Sequence, residues 1–568
     1  MLLLLIIIFA WALVLVFVAW FALKTECSFL SRGPLAAIWH KLWHVTGIWA
    51  QKPTLCALAI ALTVVALRLL ALPFLPVPEP RVHDEVSYLL AAETFASGHL
   101  TNAPHQLWPF FEFEHILVKP TYMSKYPPAQ GLLLACGMLM GHSWIAVLLS
   151  FGCMCAAIFW MARAFQPTRW AMLAALLPLA YPGIASYWCN SYWGGTIAAS
   201  AAALVFGACA RLSHGLTLRN CLVLAAGMIL VLNSRPFEGL VAVLVPLSFL
   251  LNWLFVSRRA EKTAVKITAI VAPLAILLTA FAAMLYSNHC ITGSALQLPY
   301  AAYHRQYSRL PLWLGLPLGT EPLVFNNPQL QAFALDELQK FNKLQSPSGW
   351  LDCMLNERLV TAFNFFIGIW FVPLAGAALL SLSDRRMRVL WLSVAAVTLA
   401  LGTEVYFQRH YLAPMAPPLY VLLVQGFRHL RLLKMKDLPV GLAIARLILT
   451  LIFFGFVYGL VILPETGKKQ RELYQAFPGP RNKIMKMLSA LPGKHLVIVR
   501  YAPHHDTGCE YVYDNADIDA SKVVWARDLG AKNHQLLTYY RVRKVWFLQA
   551  DAAPEPRLCD FNDAAVAK

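Results

Sequence analysis

Long apolar stretches separated by short polar segments run along most of the chain. Many reach about twenty residues, the length with which an α-helix crosses the roughly 30 Å hydrocarbon core of a bilayer. The alternating pattern of membrane β-barrel strands is absent. The pattern therefore predicts an all-α polytopic membrane protein with about twelve spanning helices. They lie near residues 1–22, 54–75, 144–165, 170–188, 193–211, 218–233, 239–257, 267–287, 359–381, 388–405, 411–428 and 439–463.

Composition agrees with this pattern, because 59% of the residues are hydrophobic and only 13% are charged. The net charge of +18 does not indicate nucleic-acid binding, since the basic residues lie in short segments between the apolar stretches. When the spans alternate, these segments all fall on one side, as the positive-inside rule expects of cytoplasmic loops. The basic residues concerned are Lys24, Arg32, Lys41, Lys52, Arg211, Arg219, Arg258, Arg259, Lys262, Lys266, Arg385, Arg386, Arg388, Arg428, Arg431, Lys434 and Lys436.

The same alternation divides the chain into three parts. Residues 1–53 form an additional N-terminal helix, retained rather than cleaved because it lacks a basic start and a cleavage site, followed by a basic inner loop. Residues 54–463 form the transmembrane domain, with outer loops at 76–143 and 288–358. Residues 464–568 change character: "HLVIVRYA" and "VRKVWFLQA" are typical of strands, and "ADIDASKVVWARDLGAKNHQLLTYY" of a strand followed by a helix. This tail is predicted to be a small α/β domain outside the membrane.

Most of the 12 cysteines lie inside apolar stretches, where a thiol behaves as a small apolar group. Two pairs lie outside them, Cys290 with Cys353 and Cys509 with Cys559. Either pair could form a disulfide in an oxidising compartment, and the sequence alone leaves the pairing open.

Polar and ionisable residues gather in the outer loops and at the outer ends of spans. Each one alone is explained by a helix end at the lipid headgroups. Their convergence from at least five segments on one face favours a site instead, because ionisable groups near membrane depth usually face a cavity. The residues are Asp84, Glu85, Lys125, Tyr126, Asn190, Tyr192, Arg235, Glu238, Tyr300, His304, Arg409 and His410.

The charges of this set suit a phosphate-bearing lipid. Lys125, Arg235, Arg409 and His410, with Tyr126 beside them, can donate to phosphate oxygens. Asp84 and Glu85 can accept a proton from an incoming hydroxyl or bind a divalent cation. Asn190, Tyr192, Glu238, Tyr300 and His304 are expected to complete the substrate pocket.

Several motifs in the same order resemble a known group of enzymes. The Asp84-Glu85 pair with Tyr88, "GHL", "SKYPPAQGLLLACG", "SRPFEGL", "ITGSALQLPY" and "HYLAP" resemble GT-C-type membrane glycosyltransferases. The branch is the bacterial one related to protein O-mannosyltransferases and the lipid A aminoarabinose transferase, and the resemblance covers roughly residues 54–430.

The resemblance implies transfer of a sugar from a polyprenyl-phosphate carrier to an acceptor on the outer face, with inversion at the anomeric carbon. In motif position, Asp84 matches the catalytic carboxylate, Glu85 its companion, and Lys125 a basic residue for the donor phosphate. A bacterial inner membrane with an extracytoplasmic tail is the implied location. No nucleic acid is expected as a partner, and the acceptor, whether lipid, glycan or protein, stays open.

A divalent metal is used by some members of that group. Glu112, Glu114 and His115 in "FEFEHI" could supply ligands, but their spacing fits no standard metal signature, and a solvated amphipathic face explains them as well. In the tail, His504, His505, Asp506 and Asp528 are expected to belong to a binding or covering domain rather than to a catalytic centre.

Two other functions stay open at this stage. A transporter or flippase of a lipid-linked substrate would place its polar residues near the membrane midplane, often within repeated halves. No convincing repeat is present. A glycan ligase would share the lipid donor and differ mainly in its diphosphate leaving group.

Overall fold

The computed structural model describes residues 2–25, 34–256, 263–320 and 323–561. Arg32 and the inner-loop residues Arg258, Arg259 and Lys262 lie outside the described residues.

Helices make up most of the described chain. In the first half they are Leu2–Lys24, Pro34–Ala50, Pro53–Leu70, His83–Ala96, Pro128–Leu139, Ser143–Ala162, Thr168–Pro178, Thr196–Leu212, Leu218–Leu232, Pro236–Val256 and Thr263–Thr292. In the second half they are Pro299–Tyr307, Pro328–Leu344, Pro347–Asp352, Val360–Phe366, Val372–Ala378, Arg388–Ala400, Ala416–Leu430, Val440–Val461, Leu463–Ala476, Gly479–Ala490 and Asn533–Tyr539. Short 3₁₀ or π turns occupy Trp108–Phe111, Leu179–Gly183, Cys353–Leu359, Leu379–Ser383, Arg385–Met387, Arg409–Met415 and Gly530–Lys532.

Five of the described helices are long and apolar enough to cross a membrane: Pro53–Leu70, Ser143–Ala162, Pro236–Leu254, Ala269–Thr292 and Val440–Val461. Their outward side chains are apolar. In the helix Ala269–Thr292, for example, the side chains of Leu278 and Phe281 are more than half exposed. Such a surface is compatible with lipid rather than water. The prediction of an all-α membrane protein is confirmed.

Other predicted spans are shorter or interrupted. The span predicted at 359–381 consists of Val360–Phe366 and Val372–Ala378, separated at Gly368, whose φ of 52° lies in the left-handed region. The inner loop predicted before residue 53 contains the helix Pro34–Ala50, in which Trp43 packs against the guanidinium of Arg169 at 4.5 Å. The additional N-terminal helix lies against Val440–Val461: Ala22 shares a small apolar cluster with Val440 and Ala443.

The tail forms the α/β domain that the sequence predicts. The first outer loop contributes a short hairpin, β1 (Ile116–Leu117) and β2 (Met123–Ser124). The tail contributes β3 (His495–Arg500), β4 (Val523–Arg527), β5 (Lys544–Gln549) and β6 (Arg557–Asp560), in the order β4-β3-β5-β6. The strands β4 and β5 run parallel to β3, and β6 runs antiparallel to β5. Cys290, Cys353, Cys509 and Cys559 are all free thiols, so neither candidate disulfide is present.

The α/β domain and the first outer loop share one hydrophobic core. Apolar side chains from the helix His83–Ala96 and from the segment that follows it pack directly on one face of the four-stranded sheet. The buried residues of this core are Val86, Leu90, Phe110, Phe111, Phe113, Ile116, Val118, Tyr122, Leu496, Ile498, Ile518, Val524, Ala526, Leu536, Tyr540 and Phe547. The sheet therefore supports the segment in which the sequence places the reactive carboxylate.

Close packing between Val372–Ala378 and Ala416–Leu430 depends on Gly426. A Cβ at this position would lie 2.2 Å from the carbonyl oxygen of Ala377. We expect Gly426→Ala to lower the melting temperature, with a loss of about 1–3 kcal/mol in the free energy of unfolding, because the backbones must separate.

Gly376 is the matched control on the facing helix, since a Cβ there meets nothing within 4 Å. Gly376→Ala should therefore leave the melting temperature of the detergent-solubilised protein unchanged or raise it. Equal melting temperatures for Gly426→Ala and the wild type would contradict this account of the packing.

Candidate active site

Asp84 is a partly exposed carboxylate in the first turn of the helix His83–Ala96. The chain leaves the apolar helix Pro53–Leu70 through the proline-rich segment "LPFLPVPEP" and begins this helix shortly afterwards. An acidic residue is favourable there, because the N-terminus of a helix carries partial positive charge. The Tyr126 hydroxyl donates a hydrogen bond to Asp84 Oδ1, and Nε2 of His115 lies 3.9 Å from Asp84 Oδ2. The side chain is 24% exposed, so it is held from two sides and still reachable.

Glu85 is buried and accepts hydrogen bonds from the backbone. Its Oε2 accepts from the amides of Arg81 at 2.8 Å and Val82 at 3.3 Å, and its Oε1 accepts from the amide of Tyr192 at 2.9 Å. Burial raises the pKa of Glu85 to about 7, although these amides act in the opposite direction. The contacts of Glu85 fasten the start of the helix to the loop around Tyr192. Its role as a companion in catalysis stays a prediction.

His83 forms an ion pair with Glu114 behind Asp84. Burial lowers the pKa of His83, but the carboxylates of Glu114, Glu510 and Asp84 outweigh it and raise the pKa to about 9. The imidazole is therefore charged at neutral pH.

The three predicted metal ligands are not brought together. Glu112 Oε1 accepts from the Tyr307 hydroxyl at 3.2 Å, Glu114 pairs with His83, and His115 faces Asp84. Within the described ranges, no group of three or more His, Cys, Asp or Glu residues is placed to hold a metal ion. The physical reason is that each predicted ligand is engaged by a different partner.

Lys125 lies directly after β2, and its ammonium is buried among aromatic rings. Nζ lies 4.6 Å from the ring centroid of Tyr300 and 4.4 Å from that of Tyr303. Burial lowers the pKa of Lys125 to about 8, and the charges of Glu337, Asp84 and Glu114 oppose that shift. Among the residues described by the structure, no carboxylate lies within salt-bridge distance of Nζ. Its charge therefore remains available to a bound anion.

Lys125 and His115 line a narrow cleft of about 10 Å³, room for about one water molecule. Aromatic rings form most of its wall, with one carboxylate among them. The other lining residues are Tyr303, His304, Tyr307, Ser308, Leu330, Phe333, Glu337 and Tyr406. Tyr300 stacks on His304 with ring centroids 4.7 Å apart, so both of these predicted residues lie at the cleft.

Sequence reasoning did not identify Tyr303, Glu337 and Tyr406 as site residues. A signal for Glu337 exists in the sequence, because Leu330, Phe333 and Glu337 follow the i, i+3, i+7 spacing of one helix face. A carboxylate on an otherwise apolar face indicates either a partner or a site. The Tyr406 hydroxyl donates to Glu337 Oε2 at 3.2 Å.

Arg235 packs on the ring of Tyr411, with its guanidinium 4.4 Å from the ring centroid. Burial raises the pKa of Tyr88 to about 12, and the positive charge of Arg235 acts against this shift. Tyr88 in turn stacks on Tyr126, which donates to Asp84, with ring centroids 4.5 Å apart. Glu238 is buried one turn further along the chain.

Arg409 and His410 form a separate group around Tyr187. The guanidinium of Arg409 is exposed and 5.8 Å from the Tyr187 ring, and His410 Nδ1 lies 3.3 Å from the Tyr187 hydroxyl. The structure does not bring Asn190 or Tyr192 into the cleft lining.

Asn190 and Tyr192 have structural partners instead. Asn190 Oδ1 accepts from Arg68 Nε at 3.0 Å, and the Tyr192 hydroxyl donates to the carbonyl of Pro78 at 2.8 Å. These contacts hold the loop after Pro182 against the exit of the helix Pro53–Leu70.

Comparisons with known proteins find similarity in structure only. No family model matches the chain, and no curated protein matches it by sequence. An oligosaccharyltransferase of Archaeoglobus fulgidus with a tethered acceptor peptide matches at 13% identity and a TM-score of 0.45, over 78% of this chain and 62% of its own. The AglB oligosaccharyltransferase of that organism, in complex with an inhibitory peptide and a dolichol-phosphate, matches at 15% identity and a TM-score of 0.44. This match covers 78% of this chain and 62% of AglB. ArnT from Cupriavidus metallidurans bound to undecaprenyl phosphate matches at 14% identity and a TM-score of 0.47. This match covers 87% of this chain and 92% of ArnT.

These solved proteins are GT-C glycosyltransferases, the group that the sequence resembles. The chain spans about three fifths of the oligosaccharyltransferase. The values describe a likeness in helical arrangement and carry no information on the chemistry of the site.

The contacts of Glu85 generate a prediction. In Glu85→Gln one oxygen becomes an amide nitrogen, which cannot accept, so at least one buried backbone amide loses its partner. We expect a loss of about 1–3 kcal/mol in the free energy of unfolding, measured by thermal unfolding in detergent. Asp84→Asn is the comparison variant, and its melting temperature should stay close to that of the wild type. A Glu85→Gln protein with wild-type stability and no activity would instead favour a chemical role for Glu85.

Proposed function

We propose that the protein is a membrane glycosyltransferase. It transfers a sugar from a polyprenyl-phosphate-linked donor to an acceptor hydroxyl on the extracytoplasmic face of the inner membrane, with inversion at the anomeric carbon. The observation that carries the proposal is the arrangement around Asp84. This partly exposed carboxylate contacts His115, and His115 lines the same cleft as the buried ammonium of Lys125. The site lies in the outer loops, where a lipid-anchored donor and a water-side acceptor can meet.

The reaction that fits this arrangement is a direct displacement. The acceptor oxygen attacks the anomeric carbon, and Asp84 takes the hydroxyl proton as the new C–O bond forms. The bond between the anomeric carbon and the phosphate oxygen breaks on the opposite side, and the polyprenyl phosphate leaves. Tyr126, which donates to Oδ1 of Asp84, orients the carboxylate so that Oδ2 faces the acceptor.

Negative charge grows on the departing phosphate, and cationic donors stabilise it. Lys125 is the best placed, because its Nζ lies 5.4 Å from the ring centroid of Tyr126, and Arg235, over the ring of Tyr411, is the second candidate. Arg409 and His410, around Tyr187, would contact the donor nearer the membrane. The mechanism proposed here assigns no step to a divalent cation.

A sugar can enter this narrow cleft only if its walls move apart, and the residues that line it then offer contacts. Tyr303, Tyr307 and Tyr406 offer aromatic faces and hydroxyls, and Glu337 offers an acceptor for sugar hydroxyls. Pockets of this kind combine apolar walls with a few polar groups that fix orientation.

The location of the polar residues supports an enzyme over a transporter or flippase. Asp84, Lys125, Tyr300, His304 and Glu337 lie in outer-loop segments, whereas a transport site lies near the membrane midplane. A glycan ligase differs in its diphosphate leaving group, so the donor panel described next includes diphosphate donors.

Asp84→Asn tests the proposal directly. The purified protein in proteoliposomes is supplied with polyprenyl-phosphate and polyprenyl-diphosphate sugars and with cell-envelope extract as the acceptor source. We expect the variant to lose transfer by about 10²–10⁴-fold, because the general base is removed at nearly constant volume. Asp336→Asn, at an exposed residue of the outer helix Pro328–Leu344, is the matched control and should keep wild-type rates. Wild-type transfer by Asp84→Asn would disprove the role of Asp84.

The pKa of Lys125 predicts a pH dependence of donor binding. Because burial lowers the pKa to about 8, the ammonium loses its charge as pH rises through that value. Donor affinity, measured by equilibrium binding between pH 6.5 and 9.5, should therefore weaken above pH 8.

Lys125→Arg should abolish this weakening, since a guanidinium stays charged throughout this range. Lys119→Gln, at an exposed lysine of the same loop, should leave the profile unchanged. An unaltered profile in Lys125→Arg would remove Lys125 from the phosphate site.

A further inference from the structure

The α/β domain reaches the reactive segment through polar contacts as well as through the shared core. The amide of Ala516 donates to Glu93 Oε2 at 2.9 Å, near the end of the helix that begins with His83 and Asp84. Asn482 Nδ2 donates to Glu79 Oε2 at 2.5 Å, just before that helix. Both ends of the segment are therefore bound to the tail of the chain.

A buried ion pair lies at the centre of this contact. Arg527, at the end of β4, is 2% exposed, and its guanidinium bonds Glu510 Oε2. A second guanidinium nitrogen donates to Gln329 Oε1 at 2.6 Å, which belongs to the second outer loop. Glu510 Oε1 also accepts from the Tyr501 hydroxyl and from the amide of Val512 at 2.8 Å. The pair thus joins the domain to the helix Pro328–Leu344.

The helix that Arg527 contacts also reaches the residue next to Asp84, because the ring of Phe333 meets His83 and His115 edge-on at 6.3 and 5.8 Å. The Glu510 carboxylate is one of the charges that raise the pKa of His83, after Glu114. Aromatic rings fill the space between the two parts: Phe113 meets His83 edge-on at 5.2 Å and Tyr513 at 6.0 Å. The charges and rings that confine His83 therefore come partly from the tail.

We propose that the Arg527–Glu510 ion pair of the α/β domain is a positioning element of the active site. It fixes the helix Pro328–Leu344 through Gln329, and through the contacts of Phe333 with His83 and His115 it holds Asp84 against Tyr126 in the geometry for proton transfer. This inference rests on the proposed function and extends it, because it makes the tail a part of the catalytic apparatus rather than a cover over it.

A second ion pair of the same domain provides a matched control. Arg500 Nε lies 2.5 Å from Asp528 Oδ2, and Asp528 also accepts from the amide of Gly530 at 2.9 Å and from Asn533 Nδ2 at 2.7 Å. All these contacts remain inside the tail. Asp528→Asn therefore reports the effect of weakening the domain without touching the outer loops.

The test uses the full-length protein in nanodiscs and compares Glu510→Gln with Asp528→Asn. Steady-state transfer gives kcat and the KM for the donor, and amide hydrogen exchange of residues 83–96 reports the stability of the reactive helix. We expect Glu510→Gln to lower kcat by about 10- to 100-fold with little change in KM, because a small displacement of the base is costly. Exchange at residues 83–96 should become faster in this variant only. Glu510→Asp, which keeps the charge, should recover part of kcat.

Loss of one partner of a buried pair can prevent folding, so a second variant is included. Glu510→Gln combined with Arg527→Gln removes both charges and leaves no unpaired charge in the core. It should show the same loss of kcat and the same faster exchange as Glu510→Gln.

Wild-type kcat and wild-type exchange in either variant, or equal losses in Asp528→Asn, would overturn the positioning role. A wild-type protein that transfers no sugar from any donor would count against the proposed function instead. In that case the exchange comparison alone decides whether the pair holds the helix.

Discussion

The carboxylate of Glu85 is the interaction on which the outer site depends. A helix begins with backbone amides that have no partner inside the helix, and burying them unpaired is costly. Glu85 accepts from two amides at the entry to its own helix and from the amide of Tyr192 in a distant loop. One side chain therefore fixes where the helix starts and where it lies. Asp84, its neighbour, stays partly exposed beside Tyr126 and His115, so two adjacent carboxylates have different surroundings.

Much of this organisation follows from the sequence, and the reasons are physical. Apolar length predicts helices in a membrane, and the β-rich runs around Val497 and Trp546 predict strands, because both signals are local. Asp84 can be picked out from the sequence as a candidate site residue, because the polar triplet His83-Asp84-Glu85 directly follows a long apolar stretch and a proline-rich segment. The roles of Arg527 and Glu510 are not predictable, since their partners lie far away in the chain. The contacts of Glu112 with Tyr307 and of Glu114 with His83 are unpredictable for the same reason, because the partners lie in other segments of the chain.

The site separates its charges by burial. Lys125 is enclosed by aromatic rings, and the low polarity there strengthens its attraction for a phosphate while lowering the pKa to about 8. Asp84 stays partly exposed, where solvent can reach it. Under the proposed function, this difference would let a lipid-linked donor and a water-borne acceptor approach the same point from environments that match them.

The core that Val86 and Leu90 share with Leu496, Ile498 and Val524 has a consequence for the order of biosynthesis. The apolar face of the helix His83–Ala96 is synthesised more than 350 residues before the strands that cover it. Until those strands have been made, this face has no sheet to pack against. A chain truncated before β3 would therefore leave Val86 and Leu90 without the core that supports their helix.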